Sequence, residues 1–491
     1  MNQPLILVLD IGTSSVRSAL YDFKGDVLQK TFVKNERTLT ATDDGGAEID
    51  AEEAFEQVAK ALDDVLLKSK TNKSEIEFVA ASSFWHSLVG VDFNGKPTTK
   101  VFGWADTRSR EHVVQLRKKL KETDVHNRTG ARFHSSFWPA KLLWLRKDYP
   151  KIFAKTDKWL SFSDFVMMRL CGKPVTSVSM ASATGIFDIR KCSWDKDLLK
   201  FLQIKAQNLS PIAEDSETHA LTEKFAKRWP RLKNTGWLPA IGDGAANNIG
   251  AGCLNRSKAA LMIGTSGAMR VAYKGEPPQE IPDGLWCYRI DHERVIIGGA
   301  LSDGGGLYRW LKDNLLLKQD NETEAEIAKR KPASHGLSFL PFLAGERSTG
   351  YHEVAAGAII GLRSSTDTID IVQAALESVA YRFADIFDQL NEVCGIRKII
   401  ASGGALRESP VWTQIIADVL GKNLSLPDTQ EASSRGAVLL ALETIGNIQN
   451  IENIKTPEGR NFKPQPGAKK IYIRSRKRHE QIYQMLIAKS Q

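Results

Sequence analysis

Cysteine is sparse in this chain and never paired: Cys171, Cys192, Cys253, Cys287 and Cys394 are scattered over 491 residues without a CxxC. An odd, dispersed set argues against a disulfide framework and for a reducing, cytoplasmic compartment. No Cys/His group has the spacing of a zinc site. Long apolar runs are missing too. None approaches the roughly 20 residues that span a bilayer, and the run at Leu5 to Leu9 has no basic leader and stops at Asp10, unlike a signal peptide. A membrane partner is therefore not expected. Neither a GxxxxGK[ST] phosphate loop nor the HRD and DFG pair of protein kinases occurs. Low-complexity tracts are absent. The net charge of +9 permits an anionic partner but is not gathered into one stripe. Its densest run, Lys469 to His479, reads as the solvated face of a last helix, so nucleic acid is not an expected partner.

What remains is an ordinary globular composition, 42% hydrophobic and 25% charged, in a chain long enough for two or three domains. Leu5 to Leu9 is a continuous apolar run, the mark of a buried strand. Asp10-Ile11-Gly12-Thr13-Ser14-Ser15 forms a small polar turn, Val16 to Tyr21 a second strand, Asp22 to Asp26 a hairpin turn, and Val27 to Phe32 a third strand. A helix from Ala51 follows, with Asp50 as its cap and Phe55, Val58, Leu62 and Leu66 at helical spacing. The pattern returns at mid-chain: strand Ala259 to Ile263, turn Gly264-Thr265-Ser266-Gly267, strand Ala268 to Tyr273. Ile11-Gly12-Thr13-Ser14 is thus echoed by Ile263-Gly264-Thr265-Ser266, each between a buried strand and a hairpin. Two related α/β domains are expected, joined between Trp237 and Asp243 with a cleft between them. Further on, Lys398 to Ala401 reads as a strand, and Asp370 to Leu390, Pro410 to Leu420 and Ser434 to Ile445 as helices.

Two turns of Gly, Thr and Ser suit a polyphosphate, because glycine lets backbone N–H groups approach phosphate oxygens and the hydroxyls add donors. Asp10, ending its strand beside the first turn, can hold Mg²⁺ through water or simply cap its own turn. In Gly242-Asp243-Gly244 the flanking glycines leave a carboxylate unobstructed at the start of a helix. Phosphoryl transfer to an alcohol needs a positioned base of this kind, though Gly-Asp-Gly alone is as often a plain loop. Ser402-Gly403-Gly404-Ala405 lacks bulk at a strand end, which fits a flat nucleoside or ordinary strand-to-helix packing.

Together these residues resemble the FGGY carbohydrate kinases over nearly the whole chain. The most specific piece is Gly357-x-Ile359-x-Gly361-Leu362 followed after seven residues by Asp370-Ile371-Val372-Gln373-Ala374-Ala375-Leu376-Glu377. Gly299-Ala300-Leu301 through Gly305, Trp310-Leu311-Lys312-Asp313, Glu431-Ala432 and Gly436-Ala437 also look like family segments. Within the family, Trp104-Ala105-Asp106-x-Arg108-Ser109, His86-Ser87, Ala181 to Gly185, Ile263 to Arg270 and Gly345-Glu346-Arg347 look like those of gluconokinases. Two segments depart. Phe84-Trp85 replaces a small residue and Met, and Ser348 to Gly357 replaces an Ala-Pro-aromatic stretch.

The resemblance implies two actin-like (ribonuclease-H-type) domains, 1–240 on the sugar side and 241–491 on the ATP side, with an interdomain catalytic cleft. It implies Asp243 as general base, and Asp10 with Asp243 at the Mg²⁺. Thr13, Ser14, Gly264, Thr265, Gly305, Arg309, Gly404, Ala405 and Glu408 fall at nucleotide and phosphate positions. Trp85, His86, Trp104, Asp106 and Arg108 fall on the sugar side, although Trp85 and His86 alone read as core residues. The expected activity is ATP-dependent phosphorylation of a hydroxyl of a small sugar acid or sugar, gluconate foremost, with Arg108 as the cation for the acid. A pentulose or polyol kinase, acting on xylulose, ribulose, glycerol or erythritol, is the alternative. A non-catalytic actin-like regulator is a more distant one, which the presence of Asp243 disfavours. The sequence is compatible with a homodimer.

Overall fold

The structure is a computed structural model that describes residues 4–488 apart from 38, 318, 429–430 and 456–457. Leu5–Ile11 is a strand buried at every position, as an unbroken apolar run covered on both faces must be. It pairs antiparallel with Ser15–Asp22 and parallel with Ile76–Ser83. Val33–Glu36 extends this sheet on one side, and Gly236–Trp237 and Ile241–Gly242 on the other, giving six strands. Helix Ala51–Lys68 begins where Asp50 accepts the backbone N–H groups of Glu52 and Glu53, and it sends Phe55, Val58 and Leu62 into the core.

The second half repeats the plan. Lys258–Ile263 pairs antiparallel with Gly267–Lys274 and parallel with Lys398–Ser402. Arg294–Leu301 and Trp286–Arg289 lie on one side, Leu424–Pro427 and Gly459–Phe462 on the other, for seven strands. The Ile-Gly-Thr-Ser echo is therefore topological: each copy closes a hairpin whose first strand has a parallel neighbour.

Helix Ala432–Thr444 belongs to the second half by sequence but packs on the first sheet, where Val438 and Leu439 join Ile6, Val8 and Ala80 in one core. It crosses helix Asp243–Gly250 at backbone contact. A Cβ on Gly436 would fall 1.8 Å from the Ala246 carbonyl oxygen, so only glycine fits there. The long helix Thr368–Cys394 starts with a reciprocal cap between Asp367 and Asp370. Its Glu377 is fully buried and accepts from Gln373, Tyr381, His335 and the backbone of Ala333.

Two expectations are corrected. Val27 to Phe32 is not a strand. Thr31 Oγ1 accepts the Leu20 N–H at 2.9 Å and donates to the Leu28 carbonyl at 2.7 Å, so a side chain satisfies that sheet edge. The backbone turns through Gln29–Thr31, and the strand starts at Val33. The last helix, Ala468–Tyr483, is more than a solvated face: Arg476 pairs with Asp385 at 2.6 Å and Asp388 at 2.7 Å, and His479 is buried. No helix among the described residues is long and apolar enough to cross a membrane.

Candidate active site

Three parallel strands end together. Asp10 is in register with Ser82, and Ser82 with Ile241, so the chain delivers Asp10 and Asp243 to one rim, at the carboxyl ends of parallel strands where α/β sheets place their ligands. Ser82 Oγ donates to Asp10 Oδ1 at 2.6 Å and Arg17 Nη1 to Oδ2 at 3.3 Å. Burial nevertheless raises the Asp10 pKa. Asp243 opens helix Asp243–Gly250, and its Oδ1 accepts the Gly244 N–H at 2.7 Å. Burial pushes its carboxyl up to about 6, Arg270 pulls against that rise, and the Asp10 charge adds to it. A carboxylate poised there is ionised at neutral pH and more basic than an ordinary aspartate. Among the described residues no group of three or more His, Cys, Asp and Glu could enclose a metal. Two carboxylates at an open rim suit Mg²⁺, which keeps most of its water and phosphate ligands.

The glycines beside Asp243 have a reason the sequence did not show. A Cβ on Gly242 would fall 1.8 Å from Trp85 Nε1, and one on Gly244 2.4 Å from Trp85 Cζ3. Trp85 is 6% exposed and its indole N–H donates to the Ser179 carbonyl at 3.2 Å. It thus forms a wall behind Asp243. Trp286 and Tyr288, alternating on Trp286–Arg289, meet it edge-on at 5.8 and 5.3 Å and stack on each other at 4.4 Å.

His86 lies beside this cluster, 5.9 Å from Tyr288. Burial, with the nearby Arg347 charge, holds its pKa well below the usual value. A neutral ring whose Nδ1 lies 2.7 Å from the Ala183 carbonyl must donate through that nitrogen, leaving Nε2 as an acceptor. Trp104 lines a cavity of about 1020 Å³ between the halves, together with His134, Ser136, Arg347 and Glu353. The unusual segment after Glu346-Arg347 closes one side of it. Glu353 accepts the Ser135 N–H at 2.6 Å and the Ser135 hydroxyl at 2.7 Å, tying the second half to the first.

Asp106 and Arg108 are engaged with each other and with their surroundings. Asp106 is 1% exposed and accepts the Ala47 N–H at 3.2 Å as well as Arg108. Arg108 also pairs with Glu48 at 2.6 Å and lies against the rings of Phe102 and Trp144, 5.2 Å from each. With Asp44 at 4.0 Å it has three anionic partners, so the guanidinium is spent on holding the loop that carries Trp104. In this structure Arg108 is not a free cation.

On the other half, a cavity of about 480 Å³ is lined by Gly264, Thr265, Gly305, Arg309, Gly404, Ala405 and Glu408. All seven residues of the C-terminal nucleotide set are brought together; Thr13 and Ser14 lie outside it, on the turn after Asp10. The Gly305 N–H donates to the Gly264 carbonyl at 2.8 Å, docking helix Gly305–Asn314 against the turn. The two glycines after Ser402 differ. A Cβ on Gly403 would fall 2.1 Å from the Ile263 carbonyl, whereas one on Gly404 would meet nothing nearer than 4.0 Å. Gly403 packs the strand end and Gly404 keeps the cavity open. The cavity also meets Leu376 and Trp412, whose indole N–H donates to the Leu376 carbonyl at 3.0 Å. The signature helix thereby helps shape an apolar surface suited to a base.

The FGGY carbohydrate kinase family models match the chain over residues 5–250 for the N-terminal domain and 259–444 for the C-terminal domain. The chain belongs to this family. It is a kinase, with the two-domain α/β fold expected of one. It is 29% identical to the gluconokinase of Bacillus subtilis (strain 168) over 94% of this chain and 91% of that one. To the xylulose kinase of Staphylococcus xylosus it is 26% identical, over 89% and 90%. The gluconate kinase of Lactobacillus acidophilus superposes with a TM-score of 0.91 at 26% identity, covering 99% of each chain. Its acceptor is a sugar or sugar acid.

Sequence reasoning assigned no role to Arg270, Tyr288, His134 or Arg347, although Arg270 and Arg347 end two of the gluconokinase-like segments. One signal was available for Arg270: a charged residue within the otherwise apolar strand Ala268 to Tyr273 is costly unless it has work to do.

Proposed function

We propose that this FGGY kinase phosphorylates a sugar acid, gluconate foremost, using ATP and with Asp243 as the base. The observation that carries the reading is the rim that Asp243 shares with Asp10, backed by Trp85, which also meets His86 at 6.3 Å. In this reading the nucleoside lies near Gly404, Ala405 and Glu408, and the phosphates near Thr265, Gly305 and Arg309, with Thr13 and Ser14 approaching from the first half. Asp10 and Asp243 would hold Mg²⁺ through water, and the ion would offset charge on the phosphates. His86 Nε2 accepts a hydroxyl of the acceptor, and Trp104 presents a ring to its carbon skeleton. Closure of the halves excludes water and protects ATP from hydrolysis. Asp243 then takes the proton of the attacking hydroxyl as the γ-phosphoryl transfers in line. The domains would divide at 240/241, and five free cysteines fit a reducing cytoplasm.

Gluconate is favoured over neutral acceptors by the relatives named gluconokinase and by the matching segments around His86, Trp104 and Ile263 to Arg270. The test is ADP release, measured by a coupled assay, across gluconate, xylulose, ribulose, glycerol and erythritol. Preference for gluconate is expected. Strong turnover of a ketopentose with none of gluconate would refute the acid reading.

A further inference from the structure

With Arg108 neutralised, a sugar-acid site needs another cation, and among the described residues two nearby arginines make no ion pair. Strand Gly267–Lys274 alternates its faces: Met269, Val271 and Tyr273 enter the C-terminal core, while Ala272 joins the interdomain core. Period-two geometry puts Arg270 on the Ala272 face. There it is buried beside the catalytic turn, with Nε 3.1 Å from where a Gly244 Cβ would stand. Its Nε and Nη1 meet no hydrogen-bond partner. Arg347 lies 5.1 Å over the Trp104 ring, and among the described residues its side chain has no ion pair.

A guanidinium removed from water is costly unless a counter-charge and hydrogen bonds meet it. The anions around this pair do not supply them. Glu353 is committed to Ser135, Asp10 to Ser82 and Arg17, and Glu346 to Arg382 and, at 2.8 Å, Tyr483. Asp243 is near enough to feel both cations, yet it makes an ion pair with neither. Lys141 adds a further buried amine, donating to the Ser135 carbonyl. The acceptor region thus holds two guanidiniums with no ion pair among the described residues, beside a wall of Trp85, Trp286 and Tyr288. A neutral polyol or ketose would leave both guanidiniums without a counter-charge. A polyhydroxy acid brings one carboxylate, able to take two charge-assisted hydrogen bonds from each guanidinium.

We propose that Arg270 and Arg347 together form the carboxylate receptor of the acceptor site and set its preference for sugar acids over neutral sugars. This rests on the sugar-acid reading above and names the residues that would enforce it.

Arg270→Gln, Arg347→Gln and the corresponding Lys variants test it. Gluconate binding is measured by calorimetry without nucleotide, and kcat/KM is compared for gluconate and for glucitol, the uncharged alcohol of equal length. The Gln variants should lose about 10²-fold in gluconate affinity. Compared at a pH above the acid limb of both parent and variant, the loss in kcat/KM should be much larger for gluconate than for glucitol, and the Lys variants should recover part of it. Because an unpaired buried charge is removed, the melting temperature without ligand should hold or rise, and ADP binding should persist. Gln variants that bind gluconate within about threefold of the parent, or that lose both acceptors equally, would overturn the proposal. A parent enzyme that acts on ketopentoses and not on gluconate would overturn the sugar-acid reading itself, and the receptor with it. A parent that prefers gluconate while the variants keep that preference would overturn only the receptor.

Discussion

Trp85 and Gly242 share a contact that leaves no room for a methyl group, the indole nitrogen standing 1.8 Å from where a Gly242 Cβ would be. The turn that carries Asp243 is therefore set by an aromatic wall as well as by its own backbone. Gly242→Ala should displace the turn, cost about 1–3 kcal/mol of stability and lower kcat. Trp85→Ala creates the missing room, so the double variant should be more stable than additivity of the two single changes allows. Thermal melts of the four proteins give the coupling; strict additivity would mean that the two groups do not press on each other.

Asp243 titrates at about 6, above its ordinary value of 3.8, chiefly through burial. A base acts only when ionised, so kcat/KM for the acceptor should fall as pH drops through that value and level off above it. Arg270 favours the ionised form, and Asp10 disfavours it. Arg270→Gln should therefore move the acid limb to higher pH, as read from pH–rate profiles. A limb that stays in place would show that Arg270 does not act on Asp243.

Arg108→Ala should behave unlike the Arg270 and Arg347 variants. Its guanidinium joins Glu48 and Asp106 and packs against Phe102 and Trp144, so its loss frees two buried or half-buried carboxylates and uncovers two rings. A lower melting temperature and an equal loss of turnover on charged and neutral acceptors are expected. A loss confined to acids would restore Arg108 as the acid's cation.

The paired glycines after Ser402 should separate cleanly. Gly404→Leu projects into the nucleotide cavity and should raise KM for ATP about tenfold or more, with little change in acceptor KM. Gly403→Ala meets the Ile263 carbonyl at 2.1 Å with φ +103°, and should lower stability instead. Calorimetric ADP titrations and melts distinguish the two.

Much of this was legible in the chain. Buried strands announced themselves as unbroken apolar runs, and the Ile-Gly-Thr-Ser echo located both hairpins, because strand period and turn chemistry are local. The seven C-terminal residues at nucleotide positions do line one cavity. Side-chain commitments were not legible. Nothing near Arg108 in sequence says that Glu48 neutralises it, and nothing near Gly242 says that Trp85, more than 150 residues earlier, fills its Cβ space. Thr31 replacing a sheet bond was hidden for the same reason: its partners, Leu20 and Leu28, are met only after the chain folds.

The most direct test of the account is Asp243→Asn, which keeps size and shape while removing the proton acceptor. Steady-state turnover with gluconate, alongside calorimetric ADP binding, should show kcat reduced about 10²-fold or more with nucleotide affinity within a few fold of the parent. Turnover near the parent's would contradict the assignment of Asp243 as the base and, with it, the mechanism built on that rim.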